Sequence, residues 1–189
     1  ILKRGDYEQK VFIFLEISSH ALDQNRLRNL PFLQTMILNI QSDHLDYHKS
    51  DKNYIAAKLS IIKLNNKNPT IVLIDKIQDL LPNFQEKQKE ELSKTNFLSN
   101  VDSFATYNYS LDINPDGSSK INLNFPNLNL EINTSLFLRF NVENYISAIA
   151  LISEHLSLEE LESIDHASIT LPQGRGELLR LDQGSVLID

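Results

Sequence analysis

The sequence predicts an α/β fold: a mostly parallel sheet flanked by helices, with a small antiparallel β-subsheet. Three observations carry that prediction. Short continuous apolar runs at 11–15 (VFIFL), 35–38 and 70–74 (TIVLI) have the pattern of strands buried on both faces of a parallel sheet. Polar turns and segments of helical spacing alternate with them. Between 104 and 137 strand-like pieces follow one another. There KINLNF alternates apolar and polar residues, as an antiparallel sheet with one solvated face does.

Val11 to Leu15 is the first strand and runs into the polar turn SSHALDQNR. Thr35 to Leu38 is the second and breaks into NIQSDH. Asn53 to Leu64 reads as a helix with Ile55, Ala56, Leu59 and Ile62 on one face. Thr70 to Ile74 is the third strand, and Lys87 to Leu98 a charged helix carrying Leu92 and Phe97. FATYNYSLDI, KINLNF and LNLEI then read as strands, with a turn at Asp116-Gly117. Asn141 to His155 returns to helix, with Ile146, Ile149, Ala150 and Ile152 able to pack inward. Leu158 to Ser163 is a short helix opened by Ser157 as N-cap, with Glu160 placed for a capping box.

The 189 residues suffice for one domain, or for a large domain without some of its parts. A net charge of -7 argues against a non-specific nucleic-acid binder, because neutralising phosphates takes clustered Lys and Arg. Without cysteine there is no disulfide scaffold and no thiolate metal site. No apolar run approaches the roughly 18 residues of a membrane span. The polar opening ILKRGDYEQK is not a signal peptide. A cytoplasmic monomer with no membrane partner is therefore expected. The chain starts at Ile1, its single methionine is Met36, and it stops on the strand-like GSVLID, so a fragment is also expected.

Two polar turns carry the groups with chemistry. Glu16, Ser18, Ser19 and His20 follow the first apolar run, at the sheet edge where open α/β folds bind ligands. Asp43, His44, Asp46 and His48 follow the second, and Lys58 stands about one helix further on. Carboxylates, imidazoles and a lysine at one edge suit a divalent metal with phosphate oxygens. Each group taken singly also fits a plain loop or solvated helix face. His44 and His48 at i, i+4 fit a zinc pair as well. The general-base Glu of an HExxH motif is missing, however, since Leu45 follows His44.

EISSHALDQNR (16–26) resembles the EVSSHALDQxR segment of the Mur ligases that act on UDP-N-acetylmuramoyl-L-alanyl-D-glutamate, the E-type ligases. Asn39 to His48, NIQSDHLDYH, is similar to that family's TNLSRDHLDYH, and the spacing to YIAAK (54–58) fits. RFNVEN (139–144) resembles GRFNVYN, and GRGE (174–177) resembles the GRxE segment that closes the central domain. The resemblance implies an ATP-dependent ligase that phosphorylates the D-glutamate carboxylate and lets the amine of a third amino acid attack the acyl phosphate. It implies Mg2+ held by Glu16, His44 and a carbamylated Lys58. A carbamate turns a cation into an oxygen donor suited to a hard metal. It further implies contacts of Ser18, Gln24 and Arg26 with the UDP-MurNAc-dipeptide, and of Asn141, Asn144 and Arg175 with ATP.

The departures bound what this chain does alone. None of its glycines, Gly5, Gly117, Gly174, Gly176 and Gly184, lies in a phosphate-loop context, so nothing holds the β- and γ-phosphates. Residues 1–189 are expected to be the central ATP-binding domain without the part bearing that loop. The N-terminal UDP-binding and C-terminal amino-acid-binding domains are expected to be absent, and the fragment inactive. Leu138 stands where the family has Gly, and Ser42 where it has Arg. Two other readings remain: a sister ligase of the cyanophycin or folylpolyglutamate synthetase type, or a non-catalytic relative. Whether diaminopimelate or lysine is added is left open by the sequence.

Overall fold

Ile71, Val72 and Leu73 form β2 (Ile71–Leu73), and all three are buried. Their alternation sets the layers. Ile71 and Leu73 join the core on one face of the sheet, with Val142, Ile146 and Ile149, while Val72 joins the other, with Ile55, Leu59 and Leu92. The computed structural model describes residues 12–41, 43–64, 68–101, 105–172, 177–181 and 184–188, the last two segments as backbone.

β2 lies in a six-stranded sheet of order β1-β2-β3-β4-β5-β6. The strands β1 (Met36–Ile37), β2, β3 (Asn96–Ser99) and β4 (Tyr107–Ile113) run parallel, and β5 (Ser119–Phe125) and β6 (Leu128–Thr134) add on antiparallel. The expected subsheet is thus an extension of the main sheet. Its first hairpin turns where expected: Gly117 takes φ 85°, a left-handed value that favours glycine. α1 (Ser19–Asp23) precedes β1. α2 (Leu45–His48), α3 (Asp51–Leu59) and a 3-10 turn (Ser60–Leu64) connect β1 to β2, and α4 (Glu86–Leu92) lies between β2 and β3. α5 (Arg139–Ile152) and α6 (Leu158–Glu162) follow the sheet, and β7 (Glu177–Leu181) pairs with β8 (Gly184–Ile188) in a separate hairpin. The α6 capping box forms as read, with Ser157 N–H donating to Glu160 Oε2 at 2.7 Å and Glu160 N–H to Ser157 Oγ at 3.2 Å.

Three expectations need correction. Residues 12–17 form no strand, and Ile13, Phe14 and Leu15 are 66%, 58% and 54% exposed. A strand needs a hydrogen-bonded neighbour, and among the described residues β1, at the sheet edge, pairs only with β2. The helix read over Lys87 to Leu98 ends at Leu92, and Phe97 and Leu98 belong to β3, paired with Val72 and Leu73. An apolar pair beyond a charged helix satisfies either period, and tertiary pairing decides it. On α3, Ala56 is exposed, and the neighbouring Ala57 turns inward.

Four tyrosines tie this core to pH. Burial pushes the phenols of Tyr107, Tyr109 and Tyr145 above the ordinary tyrosine value, Tyr145 to about 12, and raises Tyr54 too. A phenol with a raised folded pKa holds its proton longer in the folded chain. Its contribution is complete below the unfolded value and is lost as pH rises through the folded one. The urea midpoint should therefore fall steadily from about pH 9.5 to about pH 11.5, and less steeply in Tyr145→Phe. A flat midpoint over that range contradicts the assignment.

Candidate functional site

Three segments converge on Lys58. α1 starts where it does because Ser18, extended at φ -74° and ψ 153°, accepts a hydrogen bond from Ala21 N–H at 3.2 Å. Glu16 precedes that cap and is exposed. α2 is a single turn between two left-handed residues, His44 at φ 53° and Lys49 at φ 65°. Each such non-glycine residue costs on the order of 1 kcal/mol or more, and strain of this kind gathers at functional sites. α3 opens on Ser50, whose hydroxyl accepts from Asn53 N–H at 3.3 Å, and carries Lys58 near its end.

The electrostatics join them. Burial pushes the Lys58 ammonium below the ordinary lysine value, and the carboxylates of Asp43 and Glu16 pull against that shift. Lys58 Nζ lies 5.8 Å from the centre of the Tyr54 ring. His44 N–H donates to Asp43 Oδ1 at 2.7 Å, and His44 Nε2 lies 3.4 Å from Asp43 Oδ2. The His20 ring stands 5.0 Å from that of His44 and 4.1 Å from that of Tyr47.

The two histidines at i, i+4 have different tasks. His48 is buried, its Nε2 2.9 Å from the hydroxyl of buried Ser19, and it ties α2 to α1. His44 is about half exposed beside Asp43. Among the described residues no three His, Asp or Glu side chains are grouped to hold a metal by themselves. A polar chain runs here too: Arg26 Nε donates to Gln24 Oε1 at 2.8 Å, Gln24 Nε2 to Tyr47 Oη at 3.0 Å, and Tyr47 Oη to Asp23 Oδ2 at 2.9 Å.

A second group gathers at the start of α5, whose N-cap, Leu138, offers no side-chain acceptor. Asn141 is 8% exposed and its Nδ2 has no hydrogen-bond partner among the described residues, while Asn144 is exposed. Beneath them Glu143 is buried, with Lys76 Nζ 2.6 Å from its Oε2 and Arg139 Nε 2.8 Å from its Oε1. Asp75, just past β2, accepts from Ser99 Oγ at 2.5 Å and from Asn100 N–H at 2.9 Å. Arg175 lies outside the described residues.

Sequence reasoning missed Asp75, Lys76 and Glu143. The first two directly follow a buried strand, the same signal that singled out Glu16. Glu143 falls on the face of α5 that also carries Ile146, Ser147 and Ala150, so its spacing marks a carboxylate that must be buried with a partner.

The fold defines an open α/β domain with polar side chains in the loops after β1 and β2, where such domains bind ligands, and on the α1 segment ahead of β1. The chain belongs to the Mur ligase middle domain family, whose profile matches residues 1–152. It is 31% identical over 160 residues to the UDP-N-acetylmuramoyl-L-alanyl-D-glutamate--2,6-diaminopimelate ligase of Wolinella succinogenes, covering 82% of this chain and 33% of that protein. The ligase of the same name from Pseudomonas syringae pv. tomato is 31% identical over 173 residues, 90% of this chain and 33% of that one. A solved structure of such a diaminopimelate ligase matches with a TM-score of 0.66 at 24% identity, over 90% of this chain and 35% of that chain. The chain thus spans about a third of the length of these curated relatives.

Proposed function

We propose that these residues are the central, ATP-binding domain of a longer ligase that adds an amino acid to UDP-N-acetylmuramoyl-L-alanyl-D-glutamate. The observation that carries the reading is that Asp43 and Glu16 act on the half-buried Lys58, with His44 beside Asp43, on the segments whose wording matches the E-type ligases. In this reaction the D-glutamate carboxylate oxygen takes the γ-phosphoryl of ATP and ADP leaves. The amine of the incoming amino acid then attacks the acyl carbon, an amide bond forms and phosphate leaves with the C–O electrons.

The residues fit Mg2+ once Lys58 is a carbamate. Glu16, His44 and the carbamate would supply the donors, with Asp43 alongside. Bound there, Mg2+ would neutralise charge on the phosphoryl group and the substrate carboxylate. Ser18, Gln24 and Arg26 would contact the muramoyl dipeptide, Arg26 as charge partner of an anionic group. Asn141, Asn144 and Arg175 would contact the nucleotide. Among the described residues no helix is long and apolar enough to cross a membrane. The substrates are water-soluble, and we place the enzyme in the cytoplasm as a monomer.

The test is ligation by the full-length protein supplied with ATP, Mg2+, the UDP-linked dipeptide and either diaminopimelate or lysine. The expected result is a UDP-linked tripeptide with stoichiometric ADP and phosphate from one of the two. The isolated chain should form none, because it has no loop for the β- and γ-phosphates. ATP consumption that needs a folate or an aspartate polymer instead of the muramoyl dipeptide overturns the proposal in favour of a sister ligase. No ATP consumption with any acceptor overturns it in favour of a non-catalytic relative.

A further inference from the structure

Glu143 is an unusual residue in its place. Its carboxylate is 3% exposed, yet it joins two cations from distant parts of the chain: Lys76, just beyond β2, and Arg139, in the first turn of its own helix. The Tyr109 phenol of β4 lies close enough to feel the same carboxylate. A buried carboxylate is costly unless it is paired, and here both oxygens have a cation. The result is a cross-brace between the end of β2 and the start of α5. That start has no side-chain cap, and it carries the buried Asn141, whose Nδ2 has no hydrogen-bond partner among the described residues. Without the brace, an uncapped first turn frays readily.

We infer that Glu143 is a positioning residue for the nucleotide end of the site: through Lys76 and Arg139 it holds the first turn of α5, and with it Asn141, against the end of β2. The inference rests on the ligase reading above. It adds that binding of the nucleotide depends on a carboxylate that does not touch it.

Glu143→Gln tests this, since it keeps the shape of the side chain and removes its charge, and both cations are exposed enough to regain water. In the full-length protein the KM for ATP should rise about tenfold while kcat stays within about threefold, the pattern of lost binding with the chemistry intact. In the same full-length protein, hydrogen exchange at the Val142 amide, which donates to Leu138 O at 3.1 Å, should quicken about tenfold, and exchange at Ala150 should not change. Lys76→Met, which removes the brace from the other side, should quicken Val142 in the same way. Faster exchange with an unchanged KM reduces Glu143 to a structural residue and overturns the inference. A raised KM with unchanged exchange overturns it as well, since the turn is then intact. Wild-type protein that turns over no ATP sinks the ligase reading and this inference with it. A normal wild type beside an unaffected variant sinks this inference alone.

Discussion

Replacing Lys58 with alanine in the full-length protein should abolish ligation, by on the order of a thousandfold or more, and formate or acetate should restore part of it. The first half follows from where Lys58 sits. Both Asp43 and Glu16 act on it, and among the described residues no three His, Asp or Glu side chains are grouped to hold a metal. Removing it takes away the donor that would complete a hard-cation site, whose electrostatic share in phosphoryl and acyl chemistry is commonly several kcal/mol. The second half separates two roles for the same side chain. A carbamate is replaced by a small carboxylate that enters the vacated space. An ammonium acting as a cation is replaced by a small amine. Rescue by methylamine with none by formate would refute the carbamate, and undiminished activity would refute any metal role. Folding should not confuse the result. Burial disfavours the charged form of Lys58, so at neutral pH its removal relieves a penalty and the thermal midpoint should hold or rise.

The parts of this molecule legible in its sequence are those fixed by local chemistry. The α6 capping box needs only Ser157 and Glu160 three residues apart, and the first hairpin turn needs only Gly117 after Asp116. TIVLI reads as a buried strand because it is apolar on both faces, and both faces are covered. Residues 12–15 of VFIFL are as apolar and form no strand, because an apolar run specifies a strand only if a neighbour pairs with it, and among the described residues none does. Phe97 and Leu98 were ambiguous for the related reason that two residues cannot display a period.

At the site, the resemblance implied a common role for Glu16, His44 and Lys58, and the structure shows the charges of Asp43 and Glu16 acting on Lys58. What wording could not give is which groups have other work. Ser18 caps α1, and His48 is held by Ser19 in the interior. Nor could it show that Glu143 meets Lys76, since 67 residues separate them in sequence. Such pairs come from the crossing of helix over sheet and have no local signature.

At that crossing, Ile146→Ala should cost about 2–5 kcal/mol of stability. Ile146 is 1% exposed, midway along α5, in one core with Ile71, Leu98 and Ile121 from three strands of the sheet. Truncation to alanine removes apolar area that water never reaches and leaves a cavity that strands on one side and a helix on the other cannot close. For a domain whose whole stability is about 5–15 kcal/mol, that loss is large. In urea the midpoint should drop by roughly 1–3 M with the slope unchanged, because the unfolded chain exposes nearly the same surface. Ile146→Val, which removes one methylene, should lose only about 0.5–1.5 kcal/mol. If alanine and valine lose equally little, α5 does not anchor this face of the sheet. Because the same helix carries Glu143 and Asn141 one turn earlier, a destabilised α5 should also weaken nucleotide binding in the full-length protein. Unlike Glu143→Gln, Ile146→Ala should do so with exchange quickened along the whole helix rather than at its first turn.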